Sequence, residues 1–141
     1  MTLTATPQLN FRGNARAALA FYQAAFDGEL TLVTYQQAGQ AAQPDEADQV
    51  IWGQVATPGG LRVMAFDVLA SRPWHPGENA VFIVVGGSTA DEVTGTWDKL
   101  AAGATILQPL APAQWSPLYG MLQDRFGITW VLSLANGAGP A

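Results

Sequence analysis

Two stretches of the chain carry apolar residues at helical spacing. In 14–28, Ala15, Leu19, Tyr22 and Phe26 fall on one face, with Asn14 suited to cap the start and Gly28 to end it. In 89–103, Val93, Trp97 and Leu100 form the apolar stripe. Thr89 and Glu92, three residues apart, form a capping box, and Gly103 closes the helix. The other apolar segments alternate or run continuously, as strands do. They are "LNF" at 9–11, "ELTLVTY" at 29–35, and "DQVIWGQVAT" and "LRVMAF" around the turn at 58–60. Further on come "AVFIVV" at 80–85, read as a buried strand, then "ATILQPL", and "PLYGMLQ" and "ITWVLSL" around the turn "DRFG". In the last strand Ile128, Trp130, Leu132 and Leu134 make a core face. Thr129, Val131 and Ser133 make a second, mixed face whose partner the pattern leaves open.

The two helical stretches are in register with one another. Thr89 stands 75 positions after Asn14 and Gly103 75 after Gly28, so that Tyr22 lands on Trp97. Each helix has a short apolar strand before it and three strands after it, so the order strand–helix–strand–strand–strand occurs twice. The expected architecture is α+β, with tandem βαβββ modules in one domain spanning 1–141. The halves cover about 8–66 and 80–135. The proline-bearing segment 67–79 reads as a linker that could also act as a lid, the polar stretch 37–48 as a loop, and the tail 136–141 as disordered.

Composition narrows the function classes. Of the 141 residues, 49% are hydrophobic and only 12% charged, yet no apolar run approaches the roughly 18 residues that cross a bilayer. The net charge is −5 and the six basic residues are scattered, which argues against nucleic acid. No cysteine is present, so disulfides, thiolate metal sites and a cysteine nucleophile are excluded. The amino terminus has neither a basic nor an apolar targeting segment, and a cytoplasmic location is expected. With a single histidine, His75, neither a three-histidine zinc site nor a two-histidine–carboxylate triad can form. The acids sit mostly in loops or first helical turns, where Asp91 and Glu92 serve the helix dipole. No nucleophile elbow or phosphate-cradling glycine loop occurs.

Two motifs add a resemblance. "LNFRGNARAALAFYQAAFDGEL" resembles the opening of the PhnB-like branch of the vicinal-oxygen-chelate superfamily, with its F-x-G-N-x-x-x-A-L-x-F-Y pattern. "WSPLYGMLQDRFGITWVLSL" resembles that branch's ending: a Trp, then Y/F-G, then D-x-F-G and a Trp. The superfamily includes glyoxalase I, bleomycin-resistance proteins and extradiol dioxygenases. The resemblance implies sheets curled around a cavity, helices on the convex side, and a homodimer.

The resemblance also implies a divalent ion held by His, Gln or Glu from four strands. Those positions fall near Thr6 or Pro7, near Trp52, near Asn79 or Ala80, and on Val131, where no strong ligand stands. The expectation is therefore no metal and no cofactor. The candidate ligand-binding residues are Trp52, Gln54, Asn79, Trp115, Tyr119 and Val131, facing a small, partly apolar molecule. Trp97 and Trp130 read as core, His75 as a loop residue, and Asp124 with Gly127 as turn formers. Two alternatives remain: a lyase or dioxygenase-type enzyme with atypical metal ligands, and a dimeric interaction domain whose cavity is filled by side chains. Members of the branch are often described as methyltransferases, but the chain has no glycine-rich methyl-donor loop after its first strand.

Overall fold

A computed structural model describes residues 3–135; the tail at 136–141, expected to be disordered, lies outside the described residues. The chain divides into two compact units between Pro76 and Gly77.

The first unit is β1 (Gln8–Phe11), α1 (Ala15–Phe26), β2 (Glu29–Thr34), β3 (Val50–Ala56) and β4 (Arg62–Asp67). Its strands lie in the order β1-β4-β3-β2, with β1 parallel to β4 and the other pairs antiparallel. Helix α1 buries Ala15, Ala18, Leu19, Tyr22, Ala25 and Phe26 against one face of this sheet. The helix packs tightly over Gly53, where an added Cβ would run into Leu19 Cδ1 and stand 3.1 Å from the Ala65 carbonyl oxygen.

Both ends of α1 differ from the sequence expectation. Asn14 makes no side-chain cap. The capping oxygen comes from Asp67, whose Oδ1 accepts from the Gly13 and Ala15 N–H groups at 2.7 and 3.0 Å. Its Oδ2 accepts from the Val50 N–H at 2.9 Å, so one carboxylate ties the β1–α1 turn to the start of β3. A carboxylate outcompetes an amide here because a charged acceptor strengthens each bond and favours the helix N-terminus. At the other end the left-handed residue is Asp27 (φ 55°), and Gly28 is small for a different reason. A Cβ on Gly28 would stand 2.7 Å from Val55 Cγ1.

The segment read as a linker thus opens on a buried strand residue, since Asp67 is 1% exposed and ends β4. The next residues are strapped to β1. The Arg12 guanidinium donates to the carbonyls of Val68, Leu69 and Arg72 and lies 5.8 Å from the Trp74 ring centre. Trp74 Nε1 donates to the Asn10 carbonyl at 3.0 Å, occupying part of the β1 edge.

The second unit is β5 (Ile83–Gly87), α2 (Ala90–Leu100), β6 (Thr105–Ala113), β7 (Ser116–Gln123) and β8 (Thr129–Leu134). The sheet order is β5-β8-β7-β6, again with one parallel pair, β5 and β8. The capping box forms as expected, with Thr89 Oγ1 accepting from the Glu92 N–H and Glu92 Oε1 accepting from Thr89 N–H. Helix α2 buries Val93, Trp97 and Leu100. The Trp97 ring lies over Gly120, where a Cβ would stand 2.8 Å from both Cη2 and Cζ3. The two helices thus dock on corresponding glycines of the two repeats, one in β3 and one in β7.

One strand departs from its expectation. "AVFIVV" was expected to be buried, but its strand begins at Ile83, occupies a sheet edge, and leaves Val81 80% and Val84 66% exposed. An unbroken apolar run reads as buried on both faces, whereas here α2 covers only the face of Ile83, Val85 and Gly87. Strand β8, between β5 and β7, is the buried one: Trp130 is 0% and Val131 6% exposed. Its approach is pinned by Asp124, which accepts from the Phe126 and Ile128 N–H groups and from Trp130 Nε1 at 2.8, 3.0 and 2.8 Å.

Candidate functional site

In each unit the glycine under the helix fixes which sheet face is covered and which is open. In β3 Gly53 and Val55 look toward α1, so the alternate residues Trp52 and Gln54 belong to the opposite face. Across that face Gln8, Met64, Gln54 and Thr31 stand opposite one another over four strands. In the adjoining positions Asn10 pairs with Phe66 and Val33 with Trp52. The result is an aromatic and thioether floor dotted with three side-chain amides. Gln8 Nε2 donates to Asn10 Oδ1 at 3.4 Å, while Trp52 stays 37% exposed.

In the second unit Gly120 looks toward α2, which leaves Tyr119 and Met121 on the other face. Val84, Val131, Met121 and Gln108 form one row, and Gly86, Ser133, Tyr119 and Ala111 the next. Trp115, 63% exposed at the β6–β7 turn, packs edge-on against Tyr119 with ring centres 5.2 Å apart. The mixed face of the last strand therefore turns away from α2, although Thr129 and Val131 on it are buried, at 7% and 6% exposed.

Of the residues singled out from sequence, Trp52 and Gln54 share the open face of β3. Trp115 and Tyr119 are in ring contact, and Val131, buried, lies one row from Tyr119 on the face of the second sheet that turns away from α2. Asn79 is separate, in an exposed turn before β5 with φ 58°. Sequence reasoning passed over Gln8, Asn10, Met64 and Phe66. They follow from alternation once β1 and β4 are paired in parallel, a pairing between strands far apart in the chain. His75 is exposed on the segment after Trp74.

Electrostatics place the perturbed groups away from these faces. Burial, and secondarily the Asp67 charge, raise the pKa of the Tyr35 phenol, which donates to the Asp67 carbonyl at 2.7 Å. Hydrogen bonds from Ser88 and Thr89 lower that of Glu92 in the capping box. Both are structural groups.

Comparison with known proteins places this architecture. Over 94% of this chain and 98% of its own, protein PA1353 of Pseudomonas aeruginosa superposes with a TM-score of 0.81 at 27% identity. A Bacillus cereus PhnB protein, described as a 3-demethylubiquinone-9 3-methyltransferase, superposes with a TM-score of 0.73 at 29% identity, over 94% of this chain and all of its own. A glyoxylase/bleomycin resistance protein/dioxygenase domain from Frankia shares the fold at 14% identity, with a TM-score of 0.66 over 98% of this chain and 95% of its own. The fold is that of the vicinal-oxygen-chelate superfamily. Within it, the chain belongs to the PhnB-like family, whose model, described as 3-demethylubiquinone-9 3-methyltransferase, matches residues 4–133. The Escherichia coli protein YjdN is 24% identical over 140 residues, covering 93% of this chain and 95% of YjdN.

The superfamily's metal chemistry needs converging hard or borderline donors, and the side chains here do not fit it. The expected ligand positions fall near Thr6 or Pro7, near Trp52, near Asn79 or Ala80, and on Val131, and none of these side chains is a strong metal donor. Among the described residues no group of three or more His, Asp or Glu side chains gathers at metal-binding distance.

Proposed function

We propose that this protein binds a small, partly apolar molecule and does so without a resident metal ion. What carries the reading is the open face of the first sheet. An exposed tryptophan stands there beside amide side chains, near the strand position where the resemblance implies a metal donor in metal-dependent members. Exposed indole is costly to leave in water and stacks well on a flat or apolar ligand, while glutamine and asparagine orient it by donating and accepting hydrogen bonds. Methyl transfer is not part of the proposal. The β1–α1 connection is only the three residues Arg12, Gly13 and Asn14, with no glycine-rich run, and Asp67 accepts from its Gly13 N–H and from the first helical N–H, that of Ala15.

The test is elemental analysis of the purified protein beside a thermal-shift screen against divalent ions and a small-molecule library. The expected result is no stoichiometric metal, no ion-dependent rise in Tm, and at least one ligand whose affinity falls about tenfold or more in Trp52→Ala. Retention of one equivalent of Zn, Ni, Mn or Fe, with a matching gain in Tm, would instead establish a metal enzyme with atypical ligands.

A further inference from the structure

The open faces differ from ordinary protein surface in what they lack. In the first sheet the two rows that contain Gln54 and Trp52 hold no Asp, Glu, Lys, Arg or His. The charged positions of that face, Glu29 and Arg62, lie in the row toward the β3–β4 turn, on either side of Ala56, with opposite signs. The second sheet repeats the pattern independently: the rows through Val131 and Ser133 contain no carboxylate, ammonium, guanidinium or imidazole. A second basic group near the first face, Arg12, already donates to three backbone carbonyls.

From this we infer the ligand class: an uncharged, planar aromatic ring system bearing a carboxamide-like edge. The inference rests on the binding reading proposed above. A ring stacked on Trp52 would present its edge to Gln54 and toward the amides of Gln8 and Asn10. Each of these amides offers both a donor and an acceptor, so it complements a group that does the same. An ionised group brought over the Gln54 and Trp52 rows would lose hydration and meet no counter-charge within them, a larger loss than a neutral amide suffers. The overall charge of −5 disfavours anions further.

Three probes of one shape separate the possibilities: naphthalene-2-carboxamide, naphthalene-2-carboxylate and 2-naphthylmethylammonium. They are titrated into the full chain at pH 7.5 and followed by NMR at the Trp52 indole N–H, assigned by its loss in Trp52→Phe. The carboxamide is expected to bind at least tenfold more tightly than either charged probe. In Gln54→Glu the preference over the ammonium should shrink, with the ammonium gaining about tenfold on the carboxamide. If Gln54→Glu does not fold, Gln8→Glu on the exposed position of β1 serves the same purpose. Tighter or equal binding of the carboxylate or the ammonium by the natural sequence overturns the ligand class while leaving small-molecule binding in place. Failure of all three to move the Trp52 resonance overturns both.

Discussion

At the scale of single residues, glycines that look alike in the sequence have opposite roles. Gly120 is small because Trp97 occupies the space above it, with Leu110 Cα 3.0 Å from where a Cβ would stand. Gly120→Ala should cost about 1–3 kcal/mol, because an overpacked ring and backbone must both give way. Gly95, inside α2, has nothing within 4 Å of its would-be Cβ. Gly95→Ala should stabilise by about 0.5–1 kcal/mol through helix propensity alone. Urea unfolding of the two variants beside the parent checks both signs. Asn14 makes a third case. Removing a working N-cap costs about 0.5–2 kcal/mol, but Asn14 makes no cap bond, so Asn14→Ala should lie within about 0.5 kcal/mol of the parent. A loss above 1 kcal/mol by the same measurement would contradict the assignment of capping to Asp67.

At the scale of elements, α2 carries its own pH sensitivity. The pKa of Glu92 is lowered below its ordinary 4.5 by the bonds it accepts from Ser88 and Thr89. A depressed carboxylate stabilises the fold above its unfolded pKa and ceases to do so as pH falls through the folded one. The window is therefore acidic, from about 4.5 downward. Glu92→Gln should fall below the parent at neutral pH and meet it in acid, as read from urea midpoints between pH 7 and 3. The box was legible from sequence because its partners are three residues apart. So were both helical stripes, since burial follows the 3.6-residue period in each. What escaped were long-range decisions: that Asp67 would reach back to Gly13, and that "AVFIVV" would lie at an edge. Local apolar content cannot distinguish a strand flanked on both sides from one flanked on one. For the candidate site, Trp52, Gln54, Tyr119 and Val131 could be placed on faces by alternation. Gln8, Asn10 and Phe66 needed the parallel pairing of β1 with β4.

At the scale of the whole molecule, the 75-residue offset shows through as two sheets of identical strand pattern, each with a helix docked on a strand glycine. The repeats are alike in plan and unlike in fastening. Asp67 alone joins the β1–α1 turn, the start of β3 and, through the Tyr35 hydroxyl on its carbonyl, the end of β2. Asp67→Asn keeps the shape but replaces one acceptor oxygen by a donor facing N–H groups. It should cost about 2–4 kcal/mol, measured as the shift in urea midpoint at constant m.

The same fastening sets an order of events during synthesis. The N–H groups at the start of α1 must wait for a carboxylate made 52 residues later, whereas α2 finds its acceptor within one turn. On the ribosome, then, the helix of the leading half gains its cap only once its final strand has emerged, while that of the trailing half can be capped as soon as its first turn is exposed. A chain truncated before Asp67 would be left with a helix lacking its lock.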